Sequence, residues 1–116
     1  KLIDKIYIND KYIITKTDKN IRYEDKKRSQ FYNDINNKVY IINMLVTNDF
    51  IIFSDYNGQI KYYDFEKGNL KVIYDCHESD DPEKNNINYL KLSNDNKYIF
   101  FTIGYSSIYC EKIFKE

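Results

Sequence analysis

The chain has 116 residues, of which 18 are basic, 18 acidic, 13 tyrosine, 3 glycine and 1 proline. Because the opposite charges cancel, no overall field steers the chain to nucleic acid or to an anionic membrane. No apolar run approaches the roughly 18 residues of a spanning helix, so we expect no membrane span.

Three stretches of the chain align with one another without a gap. They begin at Ile6, Leu45 and Ser93. Intervals of roughly 40–50 residues are typical of β-propellers, in which each four-stranded sheet, or blade, stacks on its neighbours. We therefore predict an all-β fold in which residues 1–116 are part of one β-propeller domain, a segment of four-stranded antiparallel blades with an incomplete ring.

The first blade is predicted at residues 1–33. Short runs of β-branched and aromatic residues, each preceded by Asn or Asp, predict strands at 2–8, 11–15 and 20–25. A fourth strand is expected near 30–32. The polar residues 26–29 and 33–38 are predicted to form a loop.

The second blade is predicted at residues 39–75, with strands at 39–46, 50–53, 59–65 and 70–74. Asn57 and Gly58 form the turn between its second and third strands. The polar, acidic stretch 76–86 is predicted to be a loop. The third blade is predicted at residues 87–116, with strands at 87–92, 97–103 and 107–113 and without a final strand.

The predicted ring is larger than this chain. A propeller of four blades needs about 160 residues, so we expect the remaining blades to come from the same longer chain or from a partner chain. The alternative fold is a self-contained β-sandwich of about seven strands. The gapless repeat favours the propeller, because the strands of a sandwich need not repeat in sequence.

The middle repeat resembles the end of a WD40 repeat. In the segment from Ile51 to Asp64, Asn57-Gly58 occupies the Asp-Gly turn of that family and Tyr63-Asp64 its Trp-Asp position. His77 stands where the Gly-His histidine would be. The positions that would carry the Asp of the family's hydrogen-bonded tetrad are Asp18, Asn57 and Tyr105, and those that would carry its Trp are Glu24, Tyr63 and Glu111.

This resemblance implies a non-enzymatic scaffold for protein–protein interaction, a repeat protein that is a subunit of a larger multiprotein assembly and whose partners are protein subunits or peptides. In WD40-like propellers, partners contact the turns between second and third strands and the loops between blades. The candidate interaction residues are therefore Asp55, Tyr56, Asn57, Ile103, Gly104, Tyr105, Glu78, Asp80, Asp81 and Glu83.

Catalytic and metal-binding patterns are absent from the sequence. His77 is the only histidine, and no Gly-rich phosphate loop or Ser-His-Asp order occurs. Residues 75–81 hold six potential ligands or nucleophiles, but neighbours in one loop rarely converge on an ion. We therefore predict no catalytic residue, no metal and no cofactor. The alternative is a fragment of an enzymatic or cofactor-binding propeller whose active residues lie in other blades.

The remaining features favour an intracellular protein without a nucleic-acid partner. Cys76 and Cys110 lie at unmatched positions of different repeats, which is typical of reduced thiols, so we expect a cytoplasmic or nuclear location. Lys61-Tyr62-Tyr63 interleaves charge with base-stacking rings. The same alternation predicts a strand with one face in the core, so nucleic-acid binding is disfavoured.

Overall fold

The computed structural model describes residues 2–27, 32–76, 86–104 and 107–114, and within them it contains three antiparallel sheets and no helix. In each sheet, strands that follow one another in the chain lie side by side. The first sheet consists of β1 (Lys5–Ile8), β2 (Tyr12–Lys16), β3 (Asn20–Asp25) and β4 (Tyr32–Asn36). The second consists of β5 (Ile41–Val46), β6 (Phe50–Asp55), β7 (Gln59–Asp64) and β8 (Leu70–Asp75), and the third of β9 (Ile87–Leu92), β10 (Tyr98–Ile103) and β11 (Ser107–Lys112).

Short polar side chains close the turns between the first two strands of each sheet. The Oδ1 atom of Asn9 accepts hydrogen bonds from the backbone of the first sheet's turn, and the Oγ1 atom of Thr47 does the same in the second. In the third sheet Ser93 and Asp95 share this role. Asn96 there has a φ of 60°, a left-handed conformation that asparagine tolerates better than most residues.

The sequence repeat is also a structural repeat. Strand β10 begins and ends at the same distance along the chain from β6 as Ser93 lies from Leu45. Strand β11 is offset from β7 by the same interval. The interval between Ile6 and Leu45 likewise separates β3 from β7. The prediction of an all-β fold of antiparallel sheets is therefore confirmed, while the described residues do not form a closed ring.

The polar segment after the first repeat was predicted incorrectly. Residues 33–38 were expected to be a loop, but β4 runs through Tyr32–Asn36 and pairs with β3. Ile35 is the one apolar residue of this strand that is buried, which is too weak a pattern to indicate a strand. Strands β1 and β5 also begin later than expected, at Lys5 and Ile41.

The sheets stack face to face, with the second sheet in the middle. All six residues of β6 are buried, because this strand packs against a neighbouring sheet on each side. The interface between the first and second sheets contains Ile14, Ile21, Tyr23, Ile35, Ile41, Ile51, Phe53, Tyr63 and Phe65. The interface between the second and third sheets contains Phe50, Ile52, Ile60, Tyr62, Cys76, Ile87, Leu90, Ile99, Phe101, Ile103 and Ile113.

The first sheet departs from the other two in the pairing of its middle strands. In the second sheet Phe50 lies opposite Asp64, and at the equivalent positions of the third sheet Tyr98 lies opposite Lys112. In the first sheet the residue that aligns with Asp64 is Asp25, and it lies opposite Tyr12. Since Tyr12 aligns with the residue after Phe50, the register of the first sheet is displaced by one residue.

Candidate interaction surfaces

A buried polar network holds the turn between β6 and β7. The Oδ2 atom of Asp55 lies 3.3 Å from the Nζ atom of Lys61 and accepts a hydrogen bond of 3.2 Å from Asn37. Lys61 also donates to the Oδ1 atom of Asn37 at 2.6 Å. The Oδ1 atom of Asp55 accepts from the backbone of Asn57 and Gln59. The carboxylate thus fixes the turn and ties it to the segment that leaves the first sheet.

The predicted interaction residues differ in how far they are exposed. Asp55 is fully buried. Tyr56 is half-buried and Asn57 is exposed, at the turn that Asp55 shapes. In the third sheet Ile103 is buried and Gly104 half-buried, with the Gly104 carbonyl accepting from Asn88. Five of the predicted residues lie outside the described part of the chain, as does His77: Glu78, Asp80, Asp81, Glu83 and Tyr105.

Tyr63, at the position of the WD40 tryptophan, lies inside the first interface. Its hydroxyl is 2.7 Å from that of Tyr23, and both rings contact Phe65. Burial and the hydrogen bond to Tyr63 raise the pKa of Tyr23 well above its usual value. Asp64 accepts hydrogen bonds from the backbone of the turn that follows β7. The aromatic position was therefore predicted, but its tyrosine partner on the neighbouring sheet was not.

A groove runs across the opposite edge of the sheets, where the β1–β2, β5–β6, β7–β8 and β9–β10 turns meet. Its volume is about 760 Å³, and all three sheets line it. Five aromatic side chains form its apolar part: Tyr12, Phe50, Tyr62, Phe65 and Phe114. Sequence reasoning did not find this groove, because it depends on how turns of separate repeats come together.

Carboxylates exceed lysines along the groove. Of the described residues, four acidic ones line it, namely Asp49, Asp64, Glu66 and Asp95, against the two lysines Lys11 and Lys97. Among the described residues, the ion pairs within 4.0 Å are Lys16–Asp4, Arg22–Asp34 and Lys61–Asp55. None of the four groove carboxylates is therefore neutralised by such a pair.

The outer face of the third sheet is apolar. Tyr89, Tyr98, Phe100 and Ile108 are exposed by 67%, 37%, 41% and 78% and point away from the second sheet. Thr102 lies opposite both Ile108 and Tyr89 across the strand pairs, so these side chains form one patch. Contiguous exposed apolar patches of this kind mark surfaces that pack against another element.

The outer face of the first sheet combines an ion pair with apolar side chains, since Ile6 and Ile8 on β1 are exposed by 64% and 66%. Arg22 on β3 forms hydrogen bonds of 2.7 and 3.0 Å with Asp34 on β4, and Asn20 also donates to Asp34. The Arg22 guanidinium lies 3.8 Å from the centroid of the Tyr32 ring. The Arg22 hydrogen bond lowers the pKa of Asp34. Both ends of the stack therefore expose apolar side chains, and the first sheet adds a charged pair to them.

Comparison with solved structures shows the fold. The chain is similar to the N-terminal domain of Nup159, a β-propeller, with a TM-score of 0.71 and 8% sequence identity. The match covers 97% of this chain and 30% of that domain's chain. This similarity supports a propeller-like arrangement of the three sheets, and the chain corresponds to less than a third of that domain.

Comparisons of the sequence itself were negative. No known protein family matches the chain, and no curated protein does. The WD40-like motif around Asn57-Gly58 and Tyr63-Asp64 therefore stays a resemblance. Within the described residues, no helix could cross a membrane and no group of three or more His, Cys, Asp or Glu side chains could hold a metal ion.

Proposed function

We propose that the chain is a WD40-like propeller segment that acts as a non-enzymatic scaffold for protein–protein interaction within a larger intracellular assembly. The observation that carries this proposal is the apolar outer face of the third sheet. The first and second sheets each bury the corresponding face against the next sheet in the chain. The patch around Phe100 and Ile108 is the same face of the third sheet, and it lacks such a neighbour among the described residues.

Energetics favour a further sheet as the occupant of this face. Burying a large apolar side chain contributes about 1.5–3 kcal/mol, so a patch of four such side chains is a substantial driving force. Strand β11 has a partner strand on one side only within the described part of the chain, which leaves backbone groups for pairing. The neighbouring sheet belongs either to the same polypeptide or to a partner subunit.

Hydroxyl-radical footprinting of the natural polypeptide that contains these residues tests the proposal. We expect Ile108 and Tyr89 to be modified much more slowly than their exposures of 78% and 67% imply. Val72 is the control, because it is 48% exposed on β8 although its sheet already has neighbours on both faces. Modification of Ile108 and Tyr89 at rates that match their exposure would show that nothing covers the face and would overturn the proposal.

A substitution gives a second, independent measurement. A lysine at a covered position loses apolar contact and must bury a charge, so Ile108→Lys should cause aggregation or a lower melting temperature. Val72→Lys should leave both unchanged. The enzymatic alternative concerns residues of other blades, and no feature of the described residues favours it over a scaffold.

A further inference from the structure

We propose that the groove across the turn edge of the three sheets binds an extended segment of a partner protein that is rich in arginine or lysine. This inference rests on the proposed scaffold function and adds the chemical class of the partner. It concerns the edge opposite to the β6–β7 turn, where the sequence had placed the interaction residues.

Three aromatic rings are packed together in the groove. The ring centroids of Phe50 and Tyr62 are 5.2 Å apart, and Phe114 lies edge-on at 6.1 Å from the first and 5.6 Å from the second. Phe50 and Tyr62 are buried, whereas Phe114 is 46% exposed. Lys71 of the chain itself lies 5.2 Å from the centroid of the Tyr62 ring, which shows that this cluster accommodates a cation. The exposed ring of Phe114 can attract a further guanidinium or ammonium group through its quadrupole.

The charges along the groove are complementary to those of a basic peptide. The four groove carboxylates face the two lysines without forming an ion pair among the described residues, so the groove has an excess of negative charge. Burial is the main cause that raises the pKa of Tyr62, and the nearby carboxylates of Asp64 and Asp49 raise it further. The negative charge of the groove therefore acts on its aromatic floor. A cationic side chain that enters the groove therefore meets both an aromatic surface and carboxylates that lack an ion-pair partner among the described residues.

The size and shape of the groove also suit an extended peptide segment. A volume of about 760 Å³ is in the range of sites that hold several side chains, and the groove spans turns of all three sheets. An extended peptide segment matches this form better than a single ion, which needs ligands that converge on one point. Nucleic acid is disfavoured, because its phosphates would meet the carboxylates.

Fluorescence anisotropy with defined peptides tests the inference on the natural polypeptide. The probe is a labelled nine-residue peptide of alternating arginine and alanine, and the comparison peptide has glutamate in place of arginine. We expect the arginine peptide to bind and the glutamate peptide not to bind. If neither binds at millimolar concentration, or if a single-stranded oligonucleotide of the same length binds more tightly, the inference is wrong.

Matched variants separate the groove from general attraction to negative charge. The double variant Asp49→Asn and Glu66→Gln should weaken binding of the arginine peptide about tenfold, because it removes two of the groove carboxylates. Phe114→Ala should weaken it about fivefold through loss of the accessible ring. The control removes two carboxylates elsewhere, Asp18→Asn and Glu24→Gln, and should leave binding unchanged.

The outcomes distinguish this inference from the scaffold proposal. Equal weakening by the groove variant and the control variant would show non-specific attraction and would overturn the groove assignment. Circular dichroism and melting temperature must match those of the parent protein for each variant. Slow labelling of Ile108 together with no peptide binding would reject the groove while leaving the scaffold function in place.

Discussion

The two interfaces between sheets are built from different chemistry. The interface of the first and second sheets contains the hydroxyl pair of Tyr23 and Tyr63, and the network of Asp55, Lys61 and Asn37 lies beside it. The interface of the second and third sheets contains isoleucine, leucine and aromatic side chains together with Cys76. Beside it Asn43 on β5 donates hydrogen bonds to Ser54 and to the backbone carbonyl of Ile87 on β9. Hydrogen-bonded side chains of two sheets thus meet at the first interface, whereas the bond across the second joins a side chain to the backbone.

This difference separates stability from specificity. Apolar packing contributes the larger free energy, but it tolerates changes of partner and register. Buried hydrogen-bonded groups contribute less net free energy, and they penalise every arrangement that leaves one of them without its partner. We therefore expect equal losses from equivalent hydrocarbon deletions in the two interfaces, and larger polar effects in the first interface, where hydrogen-bonded side chains of two sheets meet.

The largest effect is expected from two phenylalanines at equivalent positions of the repeat. Phe53 lies in the first interface and Phe101 in the second, and both are fully buried. Replacement of either by alanine should lower the free energy of unfolding by about 4 kcal/mol, because each leaves a cavity. Urea denaturation of the natural polypeptide measures this loss. A conservative core change costs about 1 kcal/mol. If one of the two variants loses less than this while the other shows the full loss, the hydrocarbon packing of the two interfaces is not equivalent.

The next effect tests the polar network. Asp55→Ala leaves the Lys61 ammonium partly buried without its carboxylate and should cost about 3 kcal/mol. The double variant Asp55→Ala and Lys61→Met removes both charges and should cost less than the single change. Denaturation of both variants provides the measurement. If the double variant is the less stable one, the ion pair is not the reason for the loss.

A smaller effect is expected from the tyrosine pair. Tyr63→Phe removes one hydroxyl and leaves that of Tyr23 without a buried partner, which should cost about 1 kcal/mol. Replacing both tyrosines by phenylalanine should cost less than the sum of the two single changes, because no orphaned hydroxyl then remains. Additive costs in the double-mutant cycle would mean that the contact between the two hydroxyls carries no coupling.

The last effect is absent at neutral pH and appears only in alkaline solution. The pKa of Tyr23 is raised in the folded state, mainly by burial, from a reference value of 10.0. Above about pH 10 the unfolded chain releases this proton and the folded one retains it, so the free energy of unfolding falls as pH rises. Tyr23→Phe should flatten that slope by about 1.4 kcal/mol per pH unit.

Urea denaturation at a series of pH values up to about 12 measures the slope. Tyr40→Phe is the control, because Tyr40 is exposed and lies outside both interfaces. An unchanged slope in the Tyr23 variant would show that another group is responsible for alkaline unfolding.

The sequence predicted the middle of each repeat well, because the signals there are local. Strand β9 was predicted at its observed bounds, and the bounds of β7 and β10 were within one residue. The apolar runs around Phe53 and Phe101 are flanked by Asn, Asp and Gly turns, which define both ends of a strand. Strand β4 was expected near 30–32 and lies at Tyr32–Asn36 instead, because its inward face offers Ile35 alone as a signal.

The site was less predictable than the fold. Asp55 lies next to a turn, as an exposed contact residue would, but it is buried and paired with Lys61 of the same hairpin and with Asn37 of the segment that leaves the first sheet. The groove is formed by residues from three repeats, and each repeat alone shows an ordinary turn. Such a surface follows from the stacking of the sheets and has no local sequence signature.

The displaced register of the first sheet bears on how such repeats diverge. Ile13 aligns with Ile52, which faces the next sheet in the chain, but in the first sheet Ile14 faces the next sheet instead. Adjacent isoleucines allow either residue to fill the same space, so a strand with apolar residues on both faces can slip by one position without losing its core. A lineage in which isoleucine is abundant can therefore accumulate shifts of phase within its repeats. The sequence resemblance between the repeats then fades well before the sheets themselves are lost.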